Sequence, residues 1–568
     1  MFSELTIKIT GEAGQGMQTV GLNLCRLFKR IGFYVFANQD YMSRVRGGNN
    51  FFQLRIANKP LYALRKNSDI IVALDEPSVG IHKPTLDSNG IIIIDRKKNN
   101  ITEENQFVDI PMDEIAKNLG NEIFVNSVAY GAIGSIVGAE IDSMIEIIQK
   151  NFSAKNADVI AKNIEAVKAG YMFAKDNIKE ERFKIKQNEN KKTMLLNGNE
   201  AIALAAVRSG CKFYSAYPMT PSTSIMNEMA AYSGQFNLIV EQAEDEIAAV
   251  NMAIGASFAG ARSMTATSGG GFCLMVEGVS LSAMTETPIV IVDAQRPAPA
   301  TGFPTRTEQA DLLFVLQAGH GEFAKAIFSP GTAEEAFYVT MRAFNLAEKY
   351  QIPVFIMTDQ HLADSYRNID MFNQDTVKVE RSIIPKELSK KISGYKRYEF
   401  NENGISPRAV PSWIDDVIYA DSDEHNEEGH ITEDASIRIK MVEKRMHKKM
   451  QGLIGEAIKP NTFNIEKAQI VLLGFGSTYG VLREICEVYP DKFGFMHFPQ
   501  VWPLPADSVV KLLKEKNNVF TVENNATAQL AKLIRLQTGI HIEKSILKFD
   551  GRPFDLDYLR EALDSYDR

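Results

Sequence analysis

The chain has 568 residues, 45% of them hydrophobic and 24% charged, with a formal net charge of -8 at pH 7. That length exceeds what one core can organise and predicts about three to four domains. The negative balance disfavours a nucleic-acid or anionic-membrane partner, since both attract basic surfaces, and nowhere do about 18 apolar residues run together as a membrane span would require.

In chain order, LTIKIT, GEAGQG and the pattern after it predict a strand, a glycine turn and a helix from about Met17 to Arg30. FYVFAN, FFQLRI, IIVALD, GIIIID and IFVNS read as further strands, with a closing helix from about Ala154 to Lys175. Residues 1–175 are thus expected to form one α/β domain, and the polar, charged run 176–194 a linker. A second α/β domain is expected over 195–365, with strands CKFYSAY, FNLIVE, SMTATS, TPIVIVDA, AKAIFS and IPVFIMTD. Residues 366–460 read as an irregular connection containing DSDEHNEEGH. QIVLLGFGSTYG, FGFMHF and VFTVEN then predict a third α/β domain over 461–568. The expected fold class is α/β, built from three parallel-sheet domains.

Three strands of the second domain end in YPMTP, TSGGGF and DAQRPAP, and ligands of parallel sheets collect beyond the carboxyl ends of strands. These loops are therefore expected to share one crevice. In YPMTPST, two prolines stiffen a turn that carries Thr220, Ser222 and Thr223. Thr220 is expected to contact a ligand, whereas Ser222 or Thr223 suits a helix cap. Glu241, Glu244, Asp245 and Glu246 crowd a helix start, where the dipole favours acids on structural grounds alone. Glu246 differs because the helix beyond it is apolar and small-residued, so its carboxylate is partly desolvated and suited to one strong hydrogen bond to a heterocycle. Gly269 and Gly270 in TSGGGF permit close backbone approach at a helix N-terminus. Arg296, at a strand end, suits a substrate carboxylate, with a rim salt bridge as the alternative. Thr301, Thr305 and Arg306 lie just downstream and complete the expected pocket.

Elsewhere the signals are weaker. Gly11, Gly14, Gln15 and Gly16 of GEAGQG lie between strand and helix, where a phosphate is favoured. The spacing is GxxGxG rather than the dinucleotide fingerprint, although Asp40 keeps a nicotinamide reading open and a purely structural turn is the third option. Arg44 and Arg46 in SRVRGGNN offer a second anion contact or a solvated loop. DSDEHNEEGHIT matches no zinc or calcium spacing, so an acidic surface loop and no metal site are expected. Cys25, Cys211, Cys273 and Cys486 lie far apart, without the tight runs of an iron–sulfur cluster or a disulfide framework. Met1 to Thr10 shows no signal peptide, and a cytoplasmic location is expected.

Taken in order, GEAGQG, SRVRGG, YPMTPST, EDEIAAVNMAIGASFAGAR, TSGGGF, QRPAPATGFPTRTEQADL, EHNEEGH and VENNATAQL resemble the 2-oxoacid:ferredoxin oxidoreductases, in the form of their large subunit that fuses gamma and alpha segments. The resemblance covers nearly the whole chain. One departure is Ala13, where the family commonly has glycine; an alanine suits a phosphate loop only with negative φ. The resemblance implies a gamma-type domain, a pyrimidine-binding domain and a transketolase C-terminal-like domain. It implies thiamine diphosphate at an interface with a smaller beta subunit, which supplies Mg²⁺, the diphosphate site and a 4Fe-4S cluster. This chain has no GDG motif of its own. By similarity Tyr217, Pro218, Glu246, Gly269 and Gly270 contact thiamine diphosphate. Thr220 stands near the reacting centre, Arg296 grips the 2-oxoacid carboxylate with Thr305 nearby, and Gly11 to Gly16 serve coenzyme A. The implied reaction is oxidative decarboxylation to an acyl-coenzyme A with electrons passed to ferredoxin, in a heterodimer or a dimer of heterodimers. The fused layout favours 2-oxoglutarate, with Arg306 or Arg46 as a second cation. Pyruvate, branched-chain or aryl 2-oxoacids are the alternatives, and a non-catalytic nicotinamide-binding or assembly subunit is the rival from another class.

Overall fold

A computed structural model describes residues 4–42, 47–103, 105–153, 155–186, 188–189, 192–373 and 375–566. The chain divides into two compact units. One comprises Met1–Leu196, Asp364–Met371 and Phe554–Arg568, the other Asn197–Ala363 and Phe372–Pro553.

The first unit is α/β around a mixed eight-stranded sheet. Its strands are β1 (Glu4–Glu12), β2 (Tyr34–Asp40), β3 (Asn49–Ala57), β4 (Ser68–Ala73), β5 (Leu86–Ile94), β6 (Phe107–Asp109), β7 (Thr193–Leu196) and, much later, β14 (Tyr366–Asp370). They lie in the order β6-β5-β4-β1-β3-β2-β14-β7. β1, β4, β5 and β6 pair in parallel, while β3 is antiparallel to β1 and β2, and β14 to β2 and β7. The expected helix Met17–Arg30 forms with those bounds, its apolar side (Val20, Leu24, Leu27, Phe28) buried against the sheet. IFVNS is not a strand. Asn121 accepts a hydrogen bond from the Ile123 N–H and starts a 3₁₀ turn that leads into the helix Val125–Ile136, whose small and apolar residues pack on the helix Ala157–Asn177. The polar run 176–194 is tied down: Phe183 is buried in the core, Asn188 N–H donates to Ile31 O at 3.0 Å, and the run ends as a sheet strand.

The second unit holds two sheets. Its strands are β8 (Cys211–Ala216), β9 (Ile239–Gln242), β10 (Arg262–Thr267), β11 (Ile289–Gln295), β12 (Ala326–Phe328), β13 (Pro353–Asp359), β15 (Asn461–Phe463), β16 (Ile470–Phe475), β17 (Phe493–Phe498), β18 (Gln500–Trp502), β19 (Val519–Glu523) and β20 (Lys544–Leu547). One sheet runs β18-β12-β13-β11-β10-β8-β9 and the other β15-β17-β16-β19-β20. Among the described residues, only the edge pairs β12/β18 and β15/β17 of these two sheets are antiparallel. Strand alternation splits the seven-stranded sheet's core. Ile289 and Ile291 face one layer with Phe272, Met275 and Leu312, while Val290 and Val292 face the other.

The 366–460 connection holds a helical rod that hydrophobic periodicity does not reveal: Ala435–Val442, a π-helical stretch Glu443–Lys448 and Lys449–Gly455. Its inner face carries Lys444 and Lys449, each about 1% exposed and both bonded to the fully buried Glu286, beside Arg397. DSDEHNEEGH packs onto the same rod. Glu424 pairs with Arg438 and Arg445, Glu427 accepts the Phe400 N–H, and buried His425 lies against Tyr398 with ring centroids 4.0 Å apart. The loop is a structural clasp. Among the described residues no helix is long and apolar enough to cross a membrane.

Candidate active site

The loops after β8, β10 and β11 meet at the carboxyl end of the seven-stranded sheet, in the second unit. After β8, Tyr217 is exposed at 42%, and Pro218, Met219 and Thr220 are half-buried. The turn is held from within. Ser222 Oγ donates to Met219 O at 2.7 Å, and Asn199 Nδ2 donates to Pro221 O at 2.9 Å. Ser222 occupies the cap position of the helix Thr223–Phe236 but makes no side-chain cap bond, so its hydroxyl closes the turn rather than the helix.

After β9, Asp245 caps the helix Glu246–Phe258 by accepting the Ala248 N–H at 2.7 Å, which leaves Glu246 as its first residue. Glu241 and Glu244 are exposed, whereas Glu246 is only 5% exposed. Its carboxylate lies over the start of the helix Gly269–Met284. A Cβ on Gly271 would stand 2.8 Å from Glu246 Cδ, with Glu246 Oε1 and Thr267 Oγ1 closer still. Glycine is required there because the carboxylate fills the space of a side chain. Glu246 accepts no hydrogen bond from any described residue. A buried carboxylate in that state is poised for a donor from outside the chain.

Arg296 is 8% exposed and donates through Nη1 to Thr220 O at 2.7 Å, which ties the β11 loop to the β8 loop. Burial works against its charge and Glu246 supports it. Thr267 Oγ1 reaches Met219 Sδ at 3.6 Å, and a Cβ on Gly270 would stand 3.4 Å from Met219 Cε and 3.5 Å from Ala300 O. The structure therefore brings Thr220, Glu246, Gly269, Gly270 and Arg296 to one place. Thr301 is exposed, Thr305 half-buried, and Arg306 buried at the turn of Gly551. That segment is anchored further on, where Gln309 N–H donates to Asn524 O at 2.7 Å and Asn525 Nδ2 donates to Gln309 O at 3.2 Å.

Two acids at this site were not singled out from the sequence. Asp293, fully buried, sits in register with Thr267, and Asp311 stands against the helix start, its Cγ 2.8 Å from where a Cβ on Gly269 would be. A signal existed: Ile289, Ile291, Asp293 and Gln295 share one strand parity, so a carboxylate replaces an aliphatic at an inward position.

In the first unit, Gly16 begins the Met17–Arg30 helix at φ +79 with no side-chain cap, and Gly14 takes φ +97 with open space where a Cβ would be. Ala13 is not among the positive-φ residues, so the alanine departure leaves the loop conformation unstrained. The Glu12 N–H is already bonded, to Gln15 Oε1 at 3.0 Å and to Asp75 Oδ2 at 2.8 Å. Arg44 and Arg46 lie outside the described residues.

Comparison with known proteins adds family relationships to this geometry. Residues 204–444 match the family model described as pyruvate flavodoxin/ferredoxin oxidoreductase, thiamine diP-bdg, and residues 6–173 that described as pyruvate ferredoxin/flavodoxin oxidoreductase. The chain is 35% identical to the 2-oxoacid:ferredoxin oxidoreductase subunit alpha of a Sulfolobus species, across 98% of this chain and 96% of that relative. It is 32% identical to the 2-oxoglutarate synthase subunit KorA of Methanothermobacter thermautotrophicus, across 63% of this chain and 94% of that one. Among solved structures, a 2-oxoglutarate:ferredoxin oxidoreductase from Magnetococcus marinus, with 2-oxoglutarate, coenzyme A and succinyl-CoA bound, superposes with a TM-score of 0.91 at 28% identity, covering 100% of both chains.

Proposed function

The chain belongs to the family of 2-oxoacid:ferredoxin oxidoreductase alpha subunits, and on that premise we propose that its substrate is 2-oxoglutarate, oxidised to succinyl-coenzyme A and CO₂ with reduction of ferredoxin. The single observation that carries the site assignment is Glu246, a residue only 5% exposed whose carboxylate accepts no hydrogen bond from the described residues, where three strand-end loops meet. The Magnetococcus likeness and the KorA relatives favour 2-oxoglutarate over pyruvate and over branched-chain or aryl 2-oxoacids.

Thiamine diphosphate fits this cradle, because Glu246 offers an acceptor to a ring N–H and the side-chain-free turn Gly269–Gly271 lets a ring approach the backbone beside it. When bound, that cofactor supplies the carbon nucleophile and the electron sink for a 2-oxoacid. The protein's own work is to position and to hold charge. Glu246 fixes the aminopyrimidine ring by holding a proton at one ring nitrogen. Tyr217, Pro218, Gly269 and Gly270 line the ring's approach, Thr220 borders the reacting centre, and Arg296 receives the substrate carboxylate with Thr305 beside it. Arg306 is the second cation for the distal carboxylate. Coenzyme A is assigned to Gly11, Gly14, Gln15 and Gly16, where the open face at Gly14 and the uncapped helix start favour a phosphate.

The diphosphate, its Mg²⁺ and the 4Fe-4S cluster are assigned to a smaller beta subunit. Ile239, Ile247, Met252 and Leu274 support that assignment, being large apolar side chains exposed on the edge strand and the two helices that flank Glu246. The test is reduction of a viologen dye by the complex purified with its small subunit, using 2-oxoglutarate or pyruvate with and without coenzyme A. Reduction that needs coenzyme A and prefers 2-oxoglutarate is expected; equal or faster turnover of pyruvate overturns the substrate. Glu246→Gln is expected to lower turnover by about 100-fold or more while the complex stays intact, and full activity in that variant removes Glu246 from the mechanism.

A further inference from the structure

Four polar groups under the first turn of the Gly269–Met284 helix have no hydrogen-bond partner for at least one buried atom: Thr265 Oγ1, Ser268 Oγ, both oxygens of Asp293 and Asp311 Oδ2. Thr265, Thr267, Asp293 and Gln295 lie on the helix-facing side of β10 and β11, as their parity with Ile289 and Ile291 requires. Asp311 is delivered to the same place by its backbone, whose N–H donates to Gln295 Oε1 at 3.0 Å, while Gln295 Nε2 is fixed to Thr358 O at 3.2 Å. Ser268 begins the helix without a side-chain cap.

We propose that Asp293 and Asp311 form an acid pair that holds one proton between them, and that this pair is a positioning element for Glu246, acting across the single helix turn Gly269–Gly271. The geometry is two-sided. Asp311 stands against Gly269 at the first residue of the helix and Glu246 against Gly271 at the third. Two buried carboxyls delivered to one helix turn cannot both ionise without large cost, so one keeps its proton, and its O–H is a donor in a place where buried acceptors lack one. Burial raises Asp311 to about 6, and burial together with Asp311 raises Asp293 well above the usual carboxylate range. The other titratable groups that face the pair reinforce this. Glu308, which accepts a bond from the Ala298 backbone, is raised to about 7 by burial and by Asp311, and the Cys273 thiol is raised by burial, Asp311 and Asp293. Asp359 lies one strand away beside Gln295, and no cation appears among the groups acting on either acid.

With one proton retained, the pair carries a single negative charge beneath the helix start. Loss of that proton to solvent as pH rises places a second charge there, a third around this turn counting Glu246. The helix dipole is then spent on the pair, and Glu246 is repelled from its place over Gly271.

The role in turnover rests on the 2-oxoacid reading given above, whereas the shared proton does not, so the test reads both. Infrared difference spectra of the intact complex at neutral pH are expected to show a carboxylic-acid carbonyl band that disappears in Asp293→Asn and in Asp311→Asn. Each amide variant keeps one negative charge and donates to the remaining carboxylate, which mimics the half-protonated pair and cannot lose the proton. Turnover near pH 7 is therefore expected within about threefold of the parent, with the alkaline limb of the kcat profile displaced upward by about one pH unit or more. A band that persists in both variants overturns the shared proton. An alkaline limb that stays in place in a folded variant, with the band lost, overturns the link to Glu246. Should one variant fail to fold, the other carries the same pair of readouts.

Discussion

Gly271→Ala isolates the position of the Glu246 carboxylate from its chemistry. The glycine is the third residue of the Gly269–Met284 helix, and an added Cβ would meet Thr267 Oγ1 and Glu246 Oε1 well inside contact distance, with Glu246 Cδ at 2.8 Å. Of these, the tip of the glutamate is the most easily moved, and it has to yield by roughly 1 Å to restore an ordinary separation. A displacement of that size in a catalytic group costs about 100-fold in turnover, or about 2.7 kcal/mol of barrier. Overpacking against Thr267 and Glu246 costs about 1–3 kcal/mol of fold stability, of which the preference for alanine over glycine in a helix offsets about 1 kcal/mol. The assay is viologen reduction by the complex with saturating 2-oxoglutarate and coenzyme A, beside thermal unfolding. Gly234→Ala, in the Thr223–Phe236 helix where a Cβ meets nothing within 4 Å, is the control and is expected to leave turnover unchanged. Turnover in Gly271→Ala within about threefold of the parent would show that Glu246 does not act from this place.

Arg296→Lys keeps the charge but loses the planar fork that reaches Thr220 O, so KM for 2-oxoglutarate is expected to rise about tenfold or more, read by steady-state kinetics; an unchanged KM removes Arg296 from carboxylate binding. Arg306→Ala is expected to abolish preference for 2-oxoglutarate while sparing pyruvate turnover, and equal loss of both substrates refutes its role as the second cation. Glu286→Gln leaves Lys444 and Lys449 buried without their anion, which predicts a loss of about 3–5 kcal/mol in urea unfolding; a loss under about 1 kcal/mol means that those cations find other compensation.

The loops of the site were readable because each follows an apolar strand and is marked by residues with few alternative uses: prolines in YPMTP, glycines in TSGGGF, and an arginine after VDAQ. The strand and helix alternation was readable for the same reason, down to the bounds of Met17–Arg30. What escaped is non-local or charge-based. Leu195 and Asn368 meet in an antiparallel pair of two short strands, β7 and β14, more than a hundred residues apart in the chain, and no local pattern announces such pairing. The Ala435–Gly455 rod escaped because two of its inward positions are lysines, so its buried face does not read as apolar. IFVNS has strand composition, but an asparagine cap and small residues beyond it decide for helix.

The second unit treats its buried acids in two ways, and the division argues for where its chemistry lies. Glu286 is matched by Lys444 and Lys449, Glu348 by Arg262 and Arg381, and Glu523 by the N–H groups of Leu530 and Ala531 and the amide of Asn525. Each of these acids has its acceptor capacity met from within, which is the ordinary requirement of a stable interior. Asp293 and Asp311 depart from that rule, with buried oxygens left unmatched, while the Glu246 carboxylate beside them accepts no hydrogen bond from the described residues. An unmatched buried acceptor costs about 1–3 kcal/mol, and a fold that satisfies carboxylates of the same unit so fully does not leave two short at one helix turn for want of donors. The deficit lies where the three strand-end loops meet; on the readings proposed above, a retained proton relieves it for the Asp pair and a ligand N–H meets Glu246 beside it. A stability measurement with and without thiamine diphosphate separates the two: ligand binding should raise the unfolding temperature of the parent complex and do so less in Glu246→Gln, while Asp293→Asn keeps the full increment.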